Sequence, residues 1–211
     1  MSHDYLASTI AAYNQATDVY ITSNEKLSFT PEIEAFSSFL KKGDHVLDVG
    51  CAGGHIAEAL QAQGLKVTGI DVAPIFIEKA QALVPKAEFM LMDIRHLTFE
   101  THSFEGIWAK AILLHLTLED IGFALKEFKR ILKPGGVAFI CMKKGQGSQL
   151  AEGSLGAKNP LHYTFVDMDQ LKSLLVLAGF IIEDSYEENE KNRFPGIGRD
   201  LVWVSAFVRT P

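Results

Sequence analysis

The residues best placed to do chemistry are three aspartates and a cluster of glycines. In "VLDVGCAGGHIAEAL", an apolar run meets Asp48, then Gly50, Gly53 and Gly54, and then a helix-like pattern. A second acid, Asp71, ends the apolar run of "VTGIDVA", and a third, Asp93, follows that of "FMLMDIRHL". A glycine turn between a strand and a helix lets a ligand approach bare backbone. An ionised carboxylate has two acceptor oxygens, so Asp71 can accept from both hydroxyls of a ribose. Asp93 can accept from an adenine amino group, with Ile94 beside the ring. No residue suited to neutralising phosphate accompanies the turn, so the set suits a nucleoside that carries a cationic amino-acid tail.

Two commoner ligands of glycine turns fit less well. The dinucleotide fingerprint G-x-G-x-x-G, started at Gly50, finds Ala52 and His55 where its later glycines belong. A phosphate-cradling loop needs Lys-Ser or Lys-Thr after the glycines, and neither is there. Plainer readings stay open beside the ligand reading. The glycines can simply make a tight turn, Asp71 can cap the following helix, and Asp93 can be a turn former. Cys51 reads as a small buried neighbour, since no activating His or Lys stands beside it.

The elements that must position these residues are legible from periodicity. Strands are predicted at His45–Gly50, Lys66–Ile70, Glu88–Leu91, Phe104–Ala109 and Val137–Met142, with helices near His55–Gln63, Pro74–Leu83 and Leu118–Leu132. This alternation implies parallel βαβ units in a doubly wound α/β sheet, with the three acids at strand C-terminal ends facing one cleft. Thr117 with Asp120, and Asp167 with Gln170, have the spacing of helix-starting boxes. Pro134-Gly135-Gly136 is expected to stop the first of these helices and Gly179 the second. "GFIIEDSY" and "LVWVSAFVR" read as a closing antiparallel strand pair, and "EENEKNRFPGIGRD" between them as a long loop. "YLASTIAAYNQATDVYI" and "PEIEAFSSFLKK" read as helices able to cover the mouth of the sheet.

"VLDVGCAGGH", "VTGIDVA", "MDIRHL", "FEGIWAKAILLHL" and "ILKPGG", in that order, resemble the successive motifs of class I S-adenosylmethionine-dependent methyltransferases, over about Lys42 to Cys141. The resemblance implies a Rossmann-like sheet of seven strands with the last antiparallel and an N-terminal helical cap. It implies one domain over 1–211, with a helical lid (1–41), a cofactor-binding core (42–142) and a substrate-side loop, helix and strand pair (143–211). The implied cofactor is S-adenosyl-L-methionine, with S-adenosyl-L-homocysteine as product. Asp48, Gly50, Cys51 and Gly54 would line its methionine end. Asp71 would hold the ribose, Val72, Asp93 and Ile94 the adenine, and Ala109 would bring backbone near the amino group. Ala52 stands where the family usually has glycine, adding a methyl group near the methionine portion. The family's N-terminal pattern is echoed by Tyr13, Asn14 and Tyr20, which places Tyr13 with the cofactor and Tyr20 with the substrate.

His115 follows the fourth strand, where it can be a general base or a packed histidine. His162, Tyr163, Arg193 and Arg199 are candidates for facing the acceptor, although the two arginines can equally well solvate their loop. Trp203 and Phe207 read as core, and His3, His45, His96 and His102 as surface. No histidine or cysteine has metal-ligand spacing, so no metal is expected.

Composition narrows the partners. Among 211 residues, 20 Lys and Arg face 26 Asp and Glu, a net charge of −6 that argues against a polyanionic partner. The Asn/Asp-Pro-Pro-aromatic stretch of enzymes that methylate DNA amino groups is also missing after the fourth strand, which continues Ala109-Lys110-Ala111-Ile112. The expected acceptor is therefore a small molecule in a covered pocket, beneath a mobile N-terminal lid and the Gly145–Gly156 loop. Two unpaired cysteines, a start without signal-peptide features and the absence of a long apolar run lead to a cytoplasmic expectation. The hydrophobic pattern gives no argument for a dimer. The alternatives are a non-catalytic module that binds the cofactor and acts through a partner, and a nicotinamide-dependent oxidoreductase.

Overall fold

The structure is a computed structural model that describes residues 5–24, 27–151, 156 and 158–211. Two helices, α1 (Tyr5–Asn24) and α2 (Thr30–Ser38), precede the first strand. Then follow β1 (His45–Val49), α3 (His55–Ala62), β2 (Lys66–Asp71), α4 (Pro74–Leu83), β3 (Glu88–Leu91), β4 (Phe104–Lys110), α5 (Leu118–Ile131) and β5 (Leu132–Lys143). The chain continues through β6 (Ser148–Ala151), β7 (Leu161–Thr164), α6 (Met168–Leu177), β8 (Ile181–Asn189), α7 (Glu190–Arg193) and β9 (Val202–Arg209). His3 and part of the Gly145–Gly156 loop lie outside the described residues. No described helix is long and apolar enough to cross a membrane.

One sheet of seven strands runs β3-β2-β1-β4-β5-β9-β8. β1 to β5 pair parallel, and β9 is antiparallel to both β5 and β8. The last strand in sequence is thus the antiparallel one, and it lies inside the edge strand β8. Strand order reverses between β1 and β4, the kind of switch point where open α/β sheets bind ligands beyond their strand ends. The inner strands β1, β2, β4, β5 and β9 are buried on both faces, so they read as nearly continuous apolar runs, whereas the edge strands β3 and β8 are largely uncovered. Leu47, Ile70, Ile107, Trp108 and Phe139 are almost wholly buried.

Helix ends follow local chemistry. The Thr117 hydroxyl accepts from the Asp120 amide, and the Asp167 carboxylate from that of Gln170, as their spacing predicts. Gly179 takes φ +85 just beyond α6. Pro134-Gly135-Gly136 does something other than expected. α5 already ends at Ile131, Leu132 pairs with Phe104, and the ladder resumes only at Val137 with Gly106. The three residues form an irregularity inside a long strand, because Leu132 is buried in the core and draws the strand back to it.

The expected long loop after residue 186 is largely ordered structure. β8 runs on to Asn189, and the Asn189 side chain caps the short α7 by accepting from the amides of Lys191 and Asn192. The Gly145–Gly156 segment likewise contributes β6, which pairs antiparallel with β7. His45 is half-buried and bonds Thr68 at 2.9 Å, whereas His96 and His102 are exposed.

Gly69, mid-strand in β2, lies opposite Asp48 of β1. A Cβ there would meet the Phe89 ring at 2.5 Å and the Cys51 Cβ at 2.9 Å. Gly69→Ala is therefore expected to overpack the floor beneath the glycine turn and cost about 1–3 kcal/mol. Urea unfolding would show this as a lower midpoint at unchanged slope.

Candidate functional site

Two adjoining cavities open at the C-terminal ends of the parallel strands. The larger has a volume of about 900 Å³ and the smaller about 50 Å³. Tyr13, Tyr20, Gly50, Ala52, Lys110 and His115 border both.

The smaller cavity gathers Asp71, Val72, Asp93 and Ile94 from the ends of β2 and β3, with Phe76 and Met92. Asp71 Oδ2 accepts from the Ala52 amide at 3.1 Å, and Oδ1 from the Ala73 amide at 2.9 Å. Each oxygen keeps a further lone pair. Asp71 is therefore not the N-cap residue of α4, a position held by Ala73 without a side-chain cap. Instead it ties the glycine turn to the start of α4. Asp93 is both a turn former and an ion-pair partner, accepting from the Arg95 amide and, at 2.7–3.1 Å, from its guanidinium. Burial pushes the Asp93 carboxyl up, but the Arg95 bonds outweigh it and hold the group below its ordinary value.

The glycine turn has unusual backbone. Gly50 and Gly54 take φ +72 and +89, and Ala52, at φ +44, is also left-handed. An L side chain there costs about 1–2 kcal/mol, which gives a physical reason for the family's usual glycine. A Cβ at Gly54 would lie 3.1 Å from the Ala80 Cα on α4. Gly54 shapes the turn and borders neither cavity, whereas Gly53 borders the larger one.

Asp48 is 1% exposed, borders the larger cavity and has one carboxylate oxygen without a partner. Burial, then the nearby Asp71 charge, pushes its carboxyl up to about 8. Burial also raises Asp71 to about 6, against the opposing amide bonds. Cys51 is buried beside them, and its thiol is pushed up by burial and then by the two carboxylates, so it is no thiolate nucleophile.

His115 is buried, with both ring nitrogens engaged. Nδ1 lies 2.9 Å from the His162 carbonyl and Nε2 2.7 Å from the Tyr13 hydroxyl. A carbonyl only accepts, so Nδ1 carries the proton and Nε2 accepts from Tyr13. Burial lowers the imidazole to about 4, and the ring is neutral at pH 7. Tyr13 also packs edge-on to Tyr20, with centroids 5.2 Å apart, and both rings lie against Phe76.

Other sequence candidates divide. Tyr163 borders the larger cavity, but the His162 ring faces Tyr5 and bonds Thr164, leaving only its carbonyl for the site. Ala109, opposite Ile140, borders neither cavity, because it alternates with Trp108 and Lys110 along β4 and so lies on the other face from Trp108. The turn falls later, at Ala111, with φ +57. Arg193 pairs with Glu32 and Glu188, and Arg199 forks onto Glu190. Both border the larger cavity, already neutralised. Trp203 is buried as expected, yet it also faces that cavity and donates its indole N–H to Glu190.

Sequence reasoning missed Lys110 and Lys143, which end β4 and β5 and border the larger cavity. They stand at strand C-terminal ends just as the three aspartates do, and that position was the available signal. Lys143 reads in sequence as half of a short basic pair with Lys144.

Residues 47–140 match the family model of a methyltransferase domain. A ubiquinone biosynthesis O-methyltransferase of Coxiella burnetii is 35% identical over 103 residues, covering 47% of this chain and 43% of that protein. The chain spans under half the length of the curated relatives it matches. A SAM-dependent methyltransferase structure from Methanosarcina mazei superposes with TM-score 0.76 at 23% identity, covering 87% of this chain and 99% of that one. A 1,6-didemethyltoxoflavin-N1-methyltransferase from Burkholderia thailandensis, crystallised with 1,6-didemethyltoxoflavin and S-adenosylhomocysteine, superposes with TM-score 0.77 at 22% identity, covering 100% and 90%. The sheet has the fold of these S-adenosylmethionine-dependent methyltransferase structures, and residues 47–140 match a methyltransferase domain.

The folded carboxyls of Asp48 and Asp71 lie above their ordinary 3.8, so the folded chain holds protons that the unfolded chain releases. Their contribution to stability is therefore fully present at acid pH and is lost as pH rises from about 4 to about 8. Asp48→Asn removes the larger part. Thermal unfolding without ligand is expected to show a variant close to wild type at pH 5 and more stable by on the order of 2 kcal/mol at pH 8. Tyr13→Phe leaves the buried His115 Nε2 without its donor, and is expected to cost about 1–3 kcal/mol in the same measurement.

Proposed function

We propose that this chain is a cytoplasmic S-adenosylmethionine-dependent methyltransferase acting on a small molecule. Residues 1–41 serve as a helical lid, 42–142 hold the cofactor and 143–211 form the acceptor side. The observation that carries the reading is the convergence of Asp71 and Asp93, from neighbouring parallel strands, on one small cavity beside the glycine turn. The names of relatives support it, since they describe an O-methyltransferase of ubiquinone biosynthesis and an N1-methyltransferase holding 1,6-didemethyltoxoflavin and S-adenosylhomocysteine.

In this reading the free lone pairs of Asp71 receive the ribose hydroxyls, and Val72, Asp93 and Ile94 surround the adenine. The unpaired oxygen of Asp48 suits an ammonium group, whose charge would draw the carboxyl back to its ionised form. The bound cofactor supplies an activated methyl group on a sulfonium leaving group. The chain's own task is then largely positioning, holding the acceptor nucleophile in line at the boundary of the two cavities and keeping water out. His115 cannot act as a base while its lone pair is held by Tyr13, so its first role is to position that ring.

A cavity of about 50 Å³ is too small for a nucleoside. Admission therefore requires the Tyr13 and Tyr20 rings of α1 to swing away. Opening would break the Tyr13–His115 bond and the packing of both rings on Phe76, while α1 stays tied near its start by Ser8 on the Pro160 carbonyl and Tyr5 on Asp120.

Calorimetric titration with S-adenosylhomocysteine, with NAD and NADP as controls, tests the reading. Binding of the first alone is expected, weakened by about 2 kcal/mol or more in Asp71→Ala. Binding of a nicotinamide dinucleotide instead would restore the oxidoreductase alternative. Binding without methyl transfer to any acceptor would favour the non-catalytic module.

A further inference from the structure

The larger cavity is lined on one side by a single face of the sheet. Lys110 of β4 stands opposite Cys141 of β5, which stands opposite Ser205 of β9. One row on, Lys143 stands opposite Trp203, which stands opposite Glu188 of β8. One row back, Trp108 stands opposite Phe139. Side chains two apart on a strand share a face, so ammonium groups and aromatic rings line one wall.

The polar groups of that wall are unevenly matched. Of its acids, Glu32 and Glu188 are taken by Arg193 and Glu190 by Arg199 and Trp203, while Asp48, opposite Trp108, keeps the unpaired oxygen assigned above to the cofactor's ammonium group. Among the described residues, no carboxylate lies within 4 Å of the Lys110 or Lys143 ammonium. Instead Lys110 Nζ lies over the Phe29 ring at 3.8 Å and Lys143 Nζ over the Tyr163 ring at 3.7 Å. The indole N–H of Trp108, 1% exposed, has no hydrogen-bond partner and borders the same space. These groups can only donate. Burial disfavours both ammonium groups, and Lys143 is lowered to about 8. A buried cation without a counter-ion is costly, and a ligand that supplies one removes that cost.

We propose that the methyl acceptor is an aromatic oxyanion, a carboxylate or a phenolate, with its charged oxygen received by Lys110 and Lys143 and its ring lying among Trp108, Phe139, Tyr163 and Trp203. The proposal rests on assignment of the smaller cavity to the cofactor. The lysines select the acceptor by charge, while Arg193 and Arg199 keep the neighbouring glutamates occupied.

The test is calorimetry on protein saturated with S-adenosylhomocysteine, using matched probes: 2-naphthoate against 2-naphthamide, and 4-nitrophenolate against 4-nitroanisole. In at least one pair the anion is expected to bind tenfold or more tightly than its neutral match, and that pair assigns the oxyanion as carboxylate or phenolate. Lys143→Met and Lys110→Met are each expected to remove most of the preference, while Lys143→Arg retains it. Both methionine variants should unfold at or above the wild-type temperature, which separates lost recognition from lost folding. Equal binding of anion and neutral match, a preference that survives the double methionine variant, or failure of both anions to bind would overturn the proposal. Failure of the wild type to bind S-adenosylhomocysteine in the first step would instead overturn the cofactor assignment.

Discussion

The Asp71 carboxylate joins two strand-to-helix turns that otherwise meet only through the sheet. One oxygen holds the Ala52 amide of the first crossover and the other the Ala73 amide of the second. Gly50 and Cys51 add amide bonds to the Ile70 carbonyl from the same side. The left-handed backbone at Gly50, Ala52 and Gly54 persists because these bonds over-determine it. This bridge borders the smaller cavity, where Asp71 and Ala52 both stand.

The electrostatics around this bridge run against stability. Two buried carboxylates near each other, and two buried ammonium groups without carboxylate contacts, all have their charged forms disfavoured. A fold selected only for stability would replace them with apolar side chains. Elsewhere the chain pairs its buried charges closely, as Glu190 shows. Burial pushes that carboxyl up, yet bonds from Arg199 and Trp203 bring it down to about 2. The unmatched groups are confined to the cavity walls, where a ligand can complete them.

α1 completes the site from above. Its tyrosines fill the smaller cavity and hold the His115 lone pair, so helix position and imidazole availability change together. Candidate binding surface and candidate base thus share one element.

The order of strands and helices, the caps at Thr117 and Asp167, and the three acids at strand ends are all legible in sequence, because each follows from periodicity or from contacts within a few residues. Parallel βαβ units place every strand's C-terminal end on one side of the sheet, so the acids gather there, but they divide between two adjoining cavities, Asp71 and Asp93 on the smaller and Asp48 on the larger. What tertiary structure alone decided involves partners far apart in the chain. His115 takes its role from Tyr13, 102 residues away, and from His162, 47 residues away. Arg193 is neutralised by Glu32, 161 residues away, and so becomes wall rather than clamp. Lys110 and Lys143 resemble any strand-ending lysines until the sheet register puts them on one wall of a cavity. Local propensity writes where elements begin and end. Which charges find partners depends on which distant segments the sheet brings together, and no local pattern carries that information.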